Sequence, residues 1–329
     1  MLLRPESKTP ATCRSYERVV LTILRHANRM QARGEIEPIP DRNLRLALTL
    51  LELESHVQPS TYRFYKAAVH HAIKVEPGEM DAQILELLEP EITEDHTERQ
   101  HAIALARQSN LTTLKCSQQR AEHLPAADWV VLINALLGTK SKWSRPAAVW
   151  LVSTMKTGLR PCEWSSACLT GTSLVVQNGK ATNGRAFGKT RTLDLFRASK
   201  ETLAAVKEFL AIVQSHGPMG YAALYRGVRE LIADVGRRAL SPRDRYPSIY
   251  TARHAFASSA KLSFPQHVVA ALMGHASVQT APRHYASARF ARGGRPLEVT
   301  PSPQDVEAVT RLNAARAAMT YIGVQGERS

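Results

Sequence analysis

The chain has little of what would place it in several large classes of protein. None of its 329 residues fall in an apolar run of about 18, so no membrane-spanning helix is expected. Its opening stretch, MLLRPESKTPATCRSYERV, lacks the apolar core of a secretory signal, which points to a cytoplasmic protein. Cysteine is scarce: Cys13, Cys116, Cys162 and Cys168 stand without metal-ligand spacing and read as reduced thiols. No acidic cluster suits a pair of magnesium ions, so neither metal nor other cofactor is expected. Regular alternation of strand and helix patterns is missing too, which argues against a doubly wound parallel sheet.

What is present in excess is positive charge, a net +14 at pH 7. It is unevenly spread. Residues 1–123 hold 16 Lys/Arg against 17 Asp/Glu, whereas the remainder holds 27 against 12. A strongly basic C-terminal part fits a polyanionic partner. The near-neutral balance of the N-terminal part comes from residues 76–98, with nine acids and no Lys or Arg. Such a stretch does not suit a DNA-facing surface.

The N-terminal part is helical in pattern. Tyr16, Val20, Ile23, Ala27 and Met30 repeat near the helix period, with Pro10 suited to the start and Gly34 to the stop. Arg14, Arg18, Arg25 and Arg29 share one face of that helix. A second helix at PSTYRFYKAAVHHAIK sets Tyr65, Val69, Ala72 and Ile73 against Arg63, Lys66, His70 and Lys74. Both basic stripes are candidate phosphate contacts, and solvated helix faces would look the same. Polar residues 110–125 read as a linker. The expected division is a helical domain at 1–109, the linker, a second domain at 126–294 and a tail helix at 295–329.

In the second domain, ADWVVLINALLG and SRPAAVWLVSTMKTG read as helices. SLVVQ and RTLDL read as strands around a polar segment. Helical patterns return near 199–214, 220–239, 250–262, 265–273 and 278–290. The expected fold class is mainly α with a small antiparallel β-sheet.

Five pieces of this domain suggest chemistry. Arg160, in TGLRPCEW, sits between Gly158, which can close a helix, and Pro161, which can open one. Lys180 and Lys189 fall near the tip of the strand pair. Arg253 lies early in the helix of YTARHAFAS. His275 stands in the Gly-His turn of LMGHAS, and Tyr285 follows ten residues later. Together they resemble the tyrosine recombinase (phage-integrase-type) family, which carries a GLRxxE corner, a hairpin lysine, an HxxR helix, a GHxS turn and a tyrosine nine or ten residues on. No single piece is specific; five in order over about 130 residues are.

The resemblance implies a core-binding domain at the N-terminus and an α+β catalytic domain after it. It implies Tyr285 as nucleophile, Arg160, Arg253 and His275 as donors to a phosphate, and Lys180 as general acid, with Lys189 as its alternative. Double-stranded DNA would be the substrate, cut through a 3′-phosphotyrosyl link without metal. The working form would be a homo-tetramer on two sites, associated with the nucleoid and open to an accessory directionality factor, serving a mobile element. A type IB topoisomerase would share the chemistry, and an architectural DNA-binding protein would share the surface without it. One position departs from the pattern: Tyr250 stands where the family has histidine. Its hydroxyl can donate a hydrogen bond but shuttles protons poorly at neutral pH, and packing is the equal alternative. Neighbouring His254 would turn about 100° away from Arg253 on the helix, which suits a structural role.

Overall fold

The computed structural model describes residues 8–89, 121–179, 181, 185–291 and 297–326, with side chains as far as residue 318. The chain divides into two compact units, 1–115 and 116–329. No described helix is long and apolar enough to cross a membrane.

The first unit is a cluster of helices: α1 (Pro10–Ala32), α2 (Arg42–Glu52), α3 (Pro59–Val75) and α4 (Asp81–Leu88). Thr9 caps α1 by accepting from the Thr12 amide, and Pro10 occupies its first turn. Val20, Ile23 and Ala27 pack against Leu46 and Leu50 of α2 and Val69 and Ile73 of α3. The helix period thus separates this core from Arg14, Arg18, Arg25 and Arg29, which lie on the outer side of α1. Lys66 departs from the expected stripe. Its ammonium donates to the Leu88 carbonyl at 2.5 Å and lies 4.0 Å from Glu89, so it serves the C-terminus of α4.

The second unit is mainly α with one small antiparallel sheet. Helices α5 (Ala126–Leu137) and α6 (Ser144–Thr157) precede a 3₁₀ turn at Pro161–Ser166. The sheet runs in the order β1 (Cys168–Thr170), β2 (Ser173–Gln177), β3 (Thr190–Asp194), β4 (Thr300–Pro301), every pair antiparallel. Then come α7 (Lys200–Ala239), α8 (Ile249–Ser263), α9 (Gln266–Met273), α10 (Thr280–His284) and α11 (Pro303–Gly326). α7 breaks at Gly217 (φ 60°) followed by Pro218, which explains why two helical patterns are visible there. The core packs Trp150 at a tilt against Phe209 and sets Trp164 edge-on to Phe209. Leu124 is buried in this core, and the Ala121 amide donates to the Tyr246 carbonyl, so residues 121–124 are built into this unit.

One expectation is corrected. The helix expected over 278–290 stops at His284, and Tyr285 is extended (φ −128°, ψ 156°). The reason is tertiary. Lys261 donates to the Tyr285 and Ala286 carbonyls, both at 2.9 Å, and the Ala286 amide donates to His254 Nδ1 at 3.2 Å. Those groups would otherwise continue the helix ladder. The terminal helix α11 docks on its own unit. Val309 is fully buried with Ala270 and Ala271 of α9, and Val306 packs beside them.

Candidate functional site

The site grows from the corner after α6. Gly158 ends that helix in the left-handed region (φ 68°), and a Cβ there would run into the Phe256 ring. Arg160 is then extended, and Pro161 starts the 3₁₀ turn. Glu163 closes this turn: its carboxylate accepts from the Arg160 amide at 2.7 Å and from Arg160 Nη1 at 2.6 Å.

Glu163 is fully buried and gathers three guanidinium groups. Arg191 donates to it through Nη1 at 3.1 Å and Nη2 at 2.8 Å, and Arg253 Nη1 lies 3.8 Å away. Burial alone would raise the Glu163 pKa, but Arg191 and Arg253 outweigh it and hold the group well below the usual carboxylate range. Burial opposes the Arg160 cation as well, and Glu163 more than compensates, leaving its pKa raised. Arg253, fully buried, is pushed down to about 10 by burial and then by repulsion from Arg160. Three cations share one carboxylate, so this cluster carries a surplus of two positive charges.

Arg253 projects from α8 and binds three backbone or side-chain oxygens. It donates to the Gly158 carbonyl, to the Met273 carbonyl at 2.9 Å and, through Nε, to the Tyr285 hydroxyl at 3.0 Å. Its Nη2 also lies 3.4 Å from His275 Nε2, which must be the acceptor because guanidinium nitrogens only donate. Burial, then the charges of Arg253 and Arg160, drive the His275 pKa well below its ordinary value, so the ring is neutral. Its proton therefore sits on Nδ1, a buried atom with no hydrogen-bond partner among the described residues.

Arg160, His275 and Tyr285 border one cavity of about 580 Å³, together with Arg185, His284 and Arg316. Four of the six expected catalytic residues, Arg160, Arg253, His275 and Tyr285, are thus brought together. Tyr250 is half-buried in the first turn of α8. Burial and then Cys162 raise its hydroxyl pKa, while Arg253 and Arg160 pull it down. Lys180 lies outside the described residues. Lys189 is exposed at the hairpin base, where its carbonyl accepts from the Asn178 amide at 2.8 Å. His254 acts on the Tyr285 segment through the Ala286 amide, a structural role.

Sequence reasoning missed Arg191 as a member of the cluster. The alternation of Arg191, Leu193 and Leu195, all buried, was its available signal: an arginine on the inward face of a strand. Arg185 and Arg316 carried no comparable signal, since they come from a loop and from the terminal helix.

No protein-family model and no curated protein matches the sequence. Solved structures do. A lambda integrase dimer bound to a core site is 14% identical, with a TM-score of 0.50, over 88% of this chain and 92% of that one. The Tn1549 transposon integrase with circular-intermediate DNA is 16% identical at a TM-score of 0.44, over 84% of this chain and 97% of that one. The site-specific recombinase XerH bound to its difH substrate is 13% identical at 0.36, over 84% and 94%. The chain has the tyrosine recombinase fold, as the lambda integrase likeness shows.

Proposed function

We propose that this protein is a site-specific DNA recombinase that cuts and rejoins strands through a 3′-phosphotyrosyl intermediate. One observation carries the reading: the Tyr285 hydroxyl is held by Arg253 beside a cavity walled by Arg160 and His275, over a cluster with two uncompensated positive charges. A phosphodiester, with one negative charge, offsets half of that surplus, and its doubly charged pentacoordinate transition state offsets all of it. Arg160 and Arg253 bind its non-bridging oxygens, and His275, which borders the cavity, is a further donor to them. For Arg253 to do so, the phosphate takes over the Nε–H that now points at Tyr285.

The Tyr285 oxygen then attacks phosphorus and loses its proton to solvent. The bond from phosphorus to the 5′ oxygen breaks, and Lys180 protonates that leaving oxygen, with Lys189 as the alternative donor. The phosphotyrosyl bond conserves the phosphodiester energy, so a 5′-hydroxyl from another strand reseals the DNA without ATP. Tyr250 donates a hydrogen bond at the edge of the site. The basic faces of α1 and α3 hold duplex DNA. A homo-tetramer on two sites, working for the integration or excision of a mobile element, rests on the motif resemblance.

The test uses a pool of nicked duplexes with randomised flanks, in which the short cut strand diffuses away and traps the covalent product. Wild-type protein should yield DNA-linked protein on a denaturing gel, and Tyr285→Phe should bind the same DNA without linking to it. Adduct from the Phe variant at the wild-type level would overturn the assignment of the nucleophile.

A further inference from the structure

The turn that carries His275 is held from outside itself. Gly274 ends α9 in the left-handed region, and the His275 amide still reaches back to the Ala270 carbonyl at 2.8 Å. Residues 276–278, which follow, are neither helix nor strand. Their backbone groups find partners elsewhere. The Ala276 amide donates to the Arg185 carbonyl at 3.1 Å. The Ala276 carbonyl accepts from Asn313 Nδ2 at 3.1 Å and from Arg316 Nη1 at 2.9 Å, and the Val278 amide donates to Asn313 Oδ1 at 3.3 Å.

One carboxamide therefore clasps both ends of this short segment, using a donor and an acceptor as a neighbouring strand would. Asn313 is itself fixed, because its Nδ2 also donates to the Val309 carbonyl one turn back in α11. Val309 is fully buried against Ala270 and Ala271. The terminal helix thus grips the turn at two levels, by apolar packing under α9 and by hydrogen bonds to the residues after His275. Asn313 does not border the cavity, so anything it does for a bound phosphate passes through the turn.

We propose that Asn313 is a positioning residue for His275, and that the terminal helix, docked on its own unit, is part of the site. This rests on the reading of His275 as a donor to the scissile phosphate. A ring placed about an ångström off line donates poorly, so loss of the clasp slows the chemical step without weakening DNA binding.

The test is a double-mutant cycle on adduct formation with the captured nicked duplex. Asn313→Ala should slow adduct formation on the order of tenfold, the scale of two lost hydrogen bonds, at unchanged DNA affinity. In a His275→Ala background, the same change should have no further effect. A merely structural role predicts equal slowing in both backgrounds, and that result overturns the proposal, as does a wild-type rate for Asn313→Ala. If circular dichroism shows the alanine variant unfolded, the cycle is run with Asn313→Asp, which keeps the side-chain volume and loses the donor to Ala276; the same two outcomes decide. A wild-type protein that forms no Tyr285-dependent adduct would instead overturn the functional reading, and this inference with it.

Discussion

At the scale of single residues, Glu163 carries the most. Its carboxylate is the counter-charge for Arg160, Arg191 and Arg253, all three of them buried. Glu163→Gln should destabilise the second unit by about 3–5 kcal/mol, as expected when one partner of a buried ion pair is removed. Urea unfolding followed by tryptophan fluorescence would check this, since Trp129, Trp150 and Trp164 are all buried there. In the second unit, the pH dependence follows from depressed pKa values: that of His275 near neutrality, and those of Glu163, Glu208 and Glu298 in the acid range. His275 ordinarily titrates at 6.5 but is held neutral in the fold, so below pH 6.5 the unfolded chain binds a proton that the native one refuses. Stability should therefore fall as pH drops from 6.5. Below 4.5, the ordinary value for Glu163, a second loss begins as the unfolded carboxylate protonates first. His275→Ala should remove the upper loss and leave the lower one, measured as unfolding midpoints from about pH 4 to 8. A midpoint unchanged between about pH 7 and 5.5 in the wild type would contradict the buried neutral ring. The candidate site residues were legible in the sequence because their neighbours are punctuation: Gly158 and Pro161 around Arg160, Gly274 before His275. Arg191 was legible only as an inward strand position alternating with Leu193 and Leu195, and packing alone shows that Glu163 is its carboxylate partner.

At the scale of elements, turns decide the site. Gly274 is left-handed at φ 68°, and a Cβ there would collide with Asn178 Oδ1 and stand 2.8 Å from Arg191 Nη1. Gly34 has the same backbone conformation (φ 70°), with nothing within 4 Å among the described residues. Gly34→Ala should cost about 1–2 kcal/mol, the penalty of the left-handed backbone alone. Gly274→Ala should cost more, because Asn178 and Arg191 must also move, and it should slow DNA cleavage by displacing His275. Comparing the two unfolding midpoints separates these effects; equal losses would mean that the close approach is absorbed without strain. The stretch around Tyr285 teaches the converse. Its apolar spacing reads as helix to residue 290, yet Lys261 and His254, more than 20 residues back, take up the hydrogen-bonding groups that would extend it. Periodicity reports which residues can form a helix and not which backbone groups a distant side chain will claim.

At the scale of the whole molecule, the proposed function gives each unit its own part. The α1 stripe of Arg14, Arg18, Arg25 and Arg29 faces away from the helical core, whereas Lys66 is committed to the end of α4. Replacing the four arginines by glutamine should lower the salt dependence of duplex binding by about 0.9 in the log–log slope for each phosphate that is no longer neutralised. Lys66→Gln should leave that slope unchanged. Fluorescence anisotropy across about 50–200 mM salt would show it, and a larger drop in slope for Lys66→Gln than for the quadruple variant would reverse the assignment. The mainly helical class, the paired strands SLVVQ and RTLDL, the charge asymmetry and the order of five motif pieces were determined by the sequence alone. Each of these depends on residues close together in the chain, where periodicity, turn chemistry and composition act directly. The convergence of Arg191 on Glu163, the end of α10 at His284, and the docking of the terminal helix under α9 were decided only by tertiary structure. The first two pair groups 28 and 24 residues apart, and the terminal helix also sends Arg316 to the Ala276 carbonyl 40 residues back; no local preference of the chain encodes which buried charge or unsatisfied carbonyl such a side chain will meet.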